Sequence, residues 1–296
     1  MLMSYKKTMV SSSILRVLPL WLMWFLGLGL SGCLANHYGS IPDRPLFAMS
    51  GSEFLAATKS LSKSKREDRI LQEVRRGNIP SYLRNLSAIT YSRSLGGKNY
   101  EIQLFVMPDY LAIGSDSDFV HIPMNPLTAQ KIADHFAYVL PTPLLVDRIY
   151  QNADVKLSPK PMKPNKAMHT NSYYSAHTST ISKQLTENSS SNRDLIAGHK
   201  KDVVITNRLM KKRRIRRVAI YGWHRKNGRP IQPLSLVHDE RYADYSHGIR
   251  LIFNSVKING EWMPLVEVMR HPTLSYLVSK KGRVIRPRIA TDETYR

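Results

Sequence analysis

Residues 249–269 read IRLIFNSVKINGEWMPLVEVM. Residues 249–258 are rich in β-formers, and Asn259-Gly260 is the dipeptide a two-residue hairpin turn favours, because both of its central positions need positive φ. Residues 261–269 then return as the partner strand. Outward from this hairpin, DVVIT at 202–206 and VAIYGW at 218–223 read as further strands, the second followed by an Asn227-Gly228 turn. Residues 198–296 are therefore expected to be a mostly antiparallel β-region.

The preceding half has a different pattern. Ser52 is expected to cap a helix running to Arg76 and ending at Gly77, with Phe54, Leu55, Leu61, Ile70, Leu71 and Val74 on its apolar side. YEIQLFVM at 100–107 and YLAIG at 110–114 read as strands after a turn at 96–99. Two helices follow, one capped by Thr128 and one opening on Thr142-Pro143, where Pro suits the first helical position. The expected fold class is α+β, with a helix-rich N-terminal half (53–157) and a β-rich C-terminal half (198–296). Between them, Pro159-Lys160-Pro161-Met162-Lys163-Pro164 can neither continue a helix nor enter a central strand. Residues 158–197 read as a linker, first Pro/Lys-rich and then polar. The sequence leaves open whether the two halves share a core.

The N-terminus has the layout of an export signal. Lys6, Lys7 and Arg16 precede a fourteen-residue apolar run at 17–30, VLPLWLMWFLGLGL, which falls short of the roughly 20 residues of a membrane span. Leu30-Ser31-Gly32-Cys33 follows, and it resembles the lipobox of bacterial lipoproteins. The resemblance implies a signal peptide over 1–32, lipid on Cys33, a tether over 33–52 and a membrane partner reached through that lipid. It implies the cell envelope, on its periplasmic or surface side. Leu34, standing where Asp would favour the inner membrane, points to the outer membrane if the cell has one. Cys33 is the sole cysteine, so an internal disulfide is excluded.

The whole chain carries a formal charge of +22. Removing the signal takes away only Lys6, Lys7 and Arg16, so the exported part stays strongly basic and suited to polyanions. The most basic stretch includes Lys211, Lys212, Arg213, Arg214, Arg216 and Arg217. In an exported chain it points to wall polymers or anionic lipid. A nucleic-acid partner ranks last, since it would make the export signal a coincidence.

Five of the ten histidines, His199, His224, His238, His247 and His271, fall in the β-region. His199, His224, His238 and His247 are candidates for general acid/base work, with Asp202 and Asp244 to orient their rings. Two of these histidines and a carboxylate could instead hold a zinc ion with a position left for water. Lys200 or Lys201 could then stabilise an oxyanion. The chain has no His-Glu-x-x-His helix and no Gly-x-Ser-x-Gly elbow. The strings GHKKDVVITNRL (198–209), VAIYGWH (218–224), PIQPLSLVH (230–238) and YADYSHGIRL (242–251) resemble a group of exported bacterial proteins with no assigned activity. So do residues 110–134 and 140–150. That resemblance implies export and assigns no residue a role. The expected function is an envelope hydrolase acting on a wall or surface polymer through a His/Asp site. The alternative is a non-catalytic lipoprotein that binds anionic polymer through its basic loop.

Overall fold

The computed structural model describes residues 41–191, 194–211 and 216–291. The signal, Cys33 and most of the tether therefore lie outside the described residues, as do Lys212, Arg213 and Arg214. Two helices come first, α1 (Gly51–Thr58) and α2 (Lys63–Arg75). The single helix expected from Ser52 to Arg76 is thus broken, for a local reason. Ser50 forms a reciprocal capping box with Glu53, and Ser62 accepts from the Lys65 N–H to start a second helix.

A long antiparallel hairpin follows, β1 (Ser87–Leu95) and β2 (Lys98–Val106), paired from Ser87↔Val106 to Leu95↔Lys98. Next come the short hairpin β3 (Ala112–Gly114) and β4 (Phe119–His121), helix α3 (Pro126–His135) and β5 (Tyr138–Val139). Helix α4 (Pro143–Asn152) starts as expected, with the Thr142 hydroxyl accepting from the Leu145 N–H and Pro143 in the first turn. Helix α3 is capped by Asn125 rather than Thr128, and Pro126 occupies its first turn.

After β6 (Val155–Lys156), the segment read as a linker contains the longest helix of the described residues, α5 (Asn171–Glu187). It is tied to α1 by the Asn171 amide, which donates to Leu55 O at 2.8 Å and Thr58 Oγ1 at 2.9 Å. Its buried side includes Tyr174, His177, Thr178, Ile181 and Gln184.

The remaining elements are β7 (Ile196–Ala197), β8 (Lys201–Val203), β9 (Ile220–His224), β10 (Pro230–Ser235), β11 (His247–Gly248), β12 (Ile252–Phe253), β13 (Ser255–Ile258), β14 (Glu261–Pro264), α6 (Leu265–Arg270) and α7 (Ser275–Val278). The β13–β14 hairpin has the expected register, with Ile258 opposite Glu261 and positive φ at Asn259 (51°) and Gly260 (87°). Its second strand is shorter than expected: Pro264 ends it and precedes α6.

The fold is α+β. One sheet runs β14-β13-β2-β12-β5, with β1 on the free edge of β2. A second runs β10-β9-β8-β11, antiparallel except for the parallel β8–β11 pair. The two halves share one core. A single buried cluster contains Leu104 and Val106 of β2, Ile132 of α3, Leu145 of α4, Tyr174 of α5, Val203 of β8 and Ile252 of β12. Among the described residues no helix is long and apolar enough to cross a membrane.

A half-buried acid makes stability depend on pH. Glu67 of α2 accepts the Asn125 N–H at 3.0 Å, while its Oε2 is shielded from solvent with no hydrogen bond. Burial pushes its carboxyl up to about 7. In the unfolded chain it ionises at the ordinary value of 4.5. Between those values the native state holds a proton that the unfolded state has released, so stability falls as pH rises through that window. Glu67→Gln is expected to flatten this slope. It should be near neutral at pH 5 and stabilising by on the order of 2 kcal/mol at pH 8. Urea unfolding at both pH values checks it; equal effects at the two would place the titration elsewhere.

Candidate functional site

The second sheet and the β3–β4 hairpin bring together a layer of buried polar groups. Asp109 lies between β2 and β3, His121 ends β4, and His199 precedes β8. Asp109 is 0% exposed as a side chain, and both histidines are 1% exposed. His121 Nε2 bonds to Asp109 Oδ2 at 3.0 Å. His199 Nε2 lies 3.0 Å from Asp109 Oδ1 but out of line for a hydrogen bond, so neither ring nitrogen of His199 has one. Burial holds the His199 imidazole down at about 4, hence neutral at pH 7. Burial alone would raise Asp109, but the His121 and His199 rings outweigh it and keep the carboxyl well below the usual range.

Tyr110 connects this trio to the next groups. Its ring meets the His199 ring edge-on at 4.9 Å, and its hydroxyl donates to Asp202 Oδ2 at 2.8 Å. Arg250, itself fully buried, lies over the Tyr110 ring at 4.3 Å. Asp202 therefore serves Tyr110 and does not bond to a histidine. Burial pushes its carboxyl up to about 6. Lys200 is also buried. Its Nζ donates to Tyr245 O at 2.6 Å, and burial brings it down to about 7. Lys201 lies over the Trp223 ring at 5.0 Å.

His224, at the end of β9, finds its partner elsewhere. Its Nε2 bonds to Asp147 Oδ1 of α4 at 3.0 Å, and Tyr150 of the same helix stacks on its ring at 4.6 Å. Tyr221 donates to Asp147 Oδ1 at 2.8 Å and Lys280 to Oδ2 at 2.6 Å. These bonds outweigh the burial that would raise Asp147, so its carboxyl is held below the usual range. Gly222 (φ 109°) and Trp223 (φ 56°) bend the strand just before His224. A bulky residue in the left-handed region costs on the order of 1–3 kcal/mol, and such strain concentrates at functional sites. The Trp223 N–H bond to Lys200 O at 3.0 Å secures the bend. The His224–Asp147 pair lies on the wall of a cavity of about 540 Å³, whose rim carries Lys156, Lys226, Arg229 and Lys280.

Asp244 forms a third centre. Its Oδ1 accepts from the Ser246 N–H (2.8 Å) and hydroxyl (2.5 Å), and its Oδ2 accepts from Tyr242 at 2.9 Å. Burial would raise this carboxyl, but nearby His247 and the Ser246 bonds hold it low. His247, on β11, is buried with neither ring nitrogen hydrogen-bonded, and burial brings it down to about 4. His238 is half-buried and stacks on Tyr242 at 3.9 Å.

The six candidate residues divide among three adjoining centres. His199 goes to Asp109, His224 to Asp147, and His238 and His247 surround Tyr242 and Asp244. The reason is topological. β8, β9 and β11 are separate strands of one sheet, and each candidate histidine meets what packs against its own position. Sequence reasoning missed Asp109, His121, Asp147 and His177, isolated residues whose partnerships are set by tertiary packing.

Of the basic run, Lys211 is exposed. Arg216 pairs with Glu240 at 3.0 Å, and Arg217 donates to Val237 O at 2.7 Å. These two arginines thus have partners among the described residues, although the Arg216 side chain stays largely exposed. Comparison with protein-family models, curated proteins and solved structures finds no match to this chain.

Proposed function

We propose that this chain is an exported, lipid-anchored envelope hydrolase that acts on an anionic wall or surface polymer at the His224–Asp147 cavity. The observation that carries the reading is the placement of an oriented His–Asp pair on the wall of an open, basic cavity. The Asp109 centre is too enclosed to receive a polymer directly, whereas this cavity has room for a segment of one. With Nε2 donating to Asp147, Nδ1 of His224 retains the lone pair and is the atom that takes a proton from water or returns one to a leaving group. Asp147 stays ionised, fixes the ring and favours the imidazolium as it forms. Lys156, Lys226, Arg229 and Lys280 draw in the negatively charged chain, and Tyr150 supports the imidazole from behind. The signal-like N-terminus and Leu30-Ser31-Gly32-Cys33 support the envelope location and the lipid anchor.

The test incubates the mature chain with purified wall and anionic surface polymers and follows the release of soluble fragments. Release is expected from the wild type and should fall roughly 10²–10⁴-fold in His224→Ala, the usual contribution of general acid/base catalysis. Polymer retained by the wild type with no fragments released would refute hydrolysis and favour the non-catalytic binding role. Fragments released equally by His224→Ala would move the chemistry to another centre.

A further inference from the structure

We propose that Asp109, His121 and His199 bind a divalent transition-metal ion of the zinc class. The proposal is independent of the hydrolase reading, because this centre is separate from the His224 cavity and its test requires no substrate.

The donor set is that of a metal site. It has two imidazoles and one carboxylate, with a ligand atom from each lying within 4.8 Å of the others. Zinc takes nitrogen and oxygen donors at about 2.0–2.2 Å in a tetrahedron, which places neighbouring donors a little over 3 Å apart. Both histidines already present Nε2 at 3.0 Å from an Asp109 oxygen, one on each oxygen. Small shifts would turn these contacts into shared coordination of one ion.

The unmet bonding points the same way. A buried polar atom is expected to have a partner. Around Asp109, however, both nitrogens of His199, Nδ1 of His121 and Nδ1 of His177 have none. The His199 nitrogen nearest the carboxylate is misaligned for donation and so is available as a lone-pair donor. His177 stands beside the trio. It adjoins Thr178, whose hydroxyl accepts the backbone N–H of His121 at 3.1 Å. Its ring packs edge-on against Trp223 and Tyr245, and it lies outside the three-residue group. Arg250 is the cation packed on Tyr110, but its guanidinium donates to the Met107 and Ile196 carbonyls and not to Asp109. Asp109 is fully buried, and besides the His121 ring it accepts the Tyr110 backbone N–H at 2.7 Å on Oδ1. A divalent ion would pair with this buried carboxyl directly, displacing the proton between His121 and Asp109 into solvent as it binds.

The ion would cross-link distant parts of the chain, joining the β3–β4 hairpin of the first half to the start of β8 in the second. Binding should therefore stabilise the native state as well as fill the site.

The experiment uses the mature chain, stripped with a chelator and dialysed, then titrated with zinc against a chromogenic competitor. Cobalt(II) is added in parallel to read coordination geometry. One equivalent of zinc, a raised thermal midpoint and the intense visible bands of low-coordinate cobalt are expected. Asp109→Asn and His199→Gln should weaken zinc by more than the roughly 10–100-fold that loss of an outer-shell partner costs. His247→Ala, which alters another buried histidine, should bind like the wild type. If the ligand variants fail to fold, the wild-type titration and cobalt spectrum decide alone. Absence of stoichiometric zinc with only hexa-aquo-like cobalt bands, or equal binding by wild type and folded Asp109→Asn, would overturn the assignment.

Discussion

Arg250→Ala is expected to destabilise the protein by about 3–5 kcal/mol, the range for removing one member of a buried charge network. Arg250 is fully buried. Its guanidinium donates to Met107 O at 2.8 Å and Ile196 O at 2.6 Å, and it lies over the Tyr110 ring. Those carbonyls belong to the residue just after β2 and to β7, so one side chain joins the first half of the chain to the segment that leads into β8. Truncation would leave both carbonyls unpaired, open a cavity and withdraw the cation that opposes the burial-driven rise of Asp202. Each effect costs on the order of 1–3 kcal/mol alone, and they do not add simply. Arg250→Met retains much of the volume but none of the donors, so the gap between Met and Ala measures packing and the remainder measures polar loss. Arg250→Lys should recover only part of the stability, because an ammonium lacks the fork that spans two carbonyls. Urea unfolding of the four proteins reads these differences. A loss below about 1 kcal/mol for Ala would mean that water satisfies the carbonyls.

Local signals were legible in the sequence wherever one residue type answers one backbone need. Asn259-Gly260 supplies the pair of positive φ values in the β13–β14 turn, and Thr142-Pro143 supplies a cap followed by a residue already set for the first helical turn. Elements with weak apolar periodicity were not legible. β1 reads SAITYSRSL and buries only Ile89 and Tyr91. It is held by its full ladder with β2 rather than by an apolar face. α5 places Asn171, His177, Thr178 and Gln184 on its buried side, where a hydropathy pattern does not show them, and Asn171, Thr178 and Gln184 find hydrogen-bond partners there. The candidate sites divide in the same way. The sequence pointed to His199 and His224 by their density with other histidines. It suggested Asp202 and Asp244 as their carboxylates because those are near in sequence. The carboxylates that meet them, Asp109 and Asp147, come from the β2–β3 connection and from α4. Those partnerships exist only after the two halves have packed into one core, so no local spacing could reveal them.

Gly198→Ala should be among the most damaging single-atom additions in the molecule, at roughly 3 kcal/mol or more, since two independent costs act there. Gly198 has φ 100°, a conformation that L side chains avoid, and an added Cβ would lie 2.3 Å from Leu157 O. That oxygen belongs to backbone and cannot swing aside. The Leu157 N–H is bonded to Ala197 O at 2.9 Å, and the parallel β6–β7 pair fixes the two chains side by side. Gly228→Ala separates the two costs, because Gly228 also has positive φ (79°) but nothing lies within 4 Å of its added Cβ. It should lose only about 1 kcal/mol, the ordinary penalty for a left-handed L-residue. The excess in Gly198→Ala then measures the clash. Since Gly198 directly precedes His199, any backbone shift that relieves the clash would move that imidazole away from Asp109. The variant should therefore weaken zinc binding in the chelator competition as well as stability, whereas Gly228→Ala should leave zinc binding unchanged. Equal losses of stability in the two alanine variants would show that the strand pair yields at little cost, and the close approach at Gly198 would then not be what positions His199.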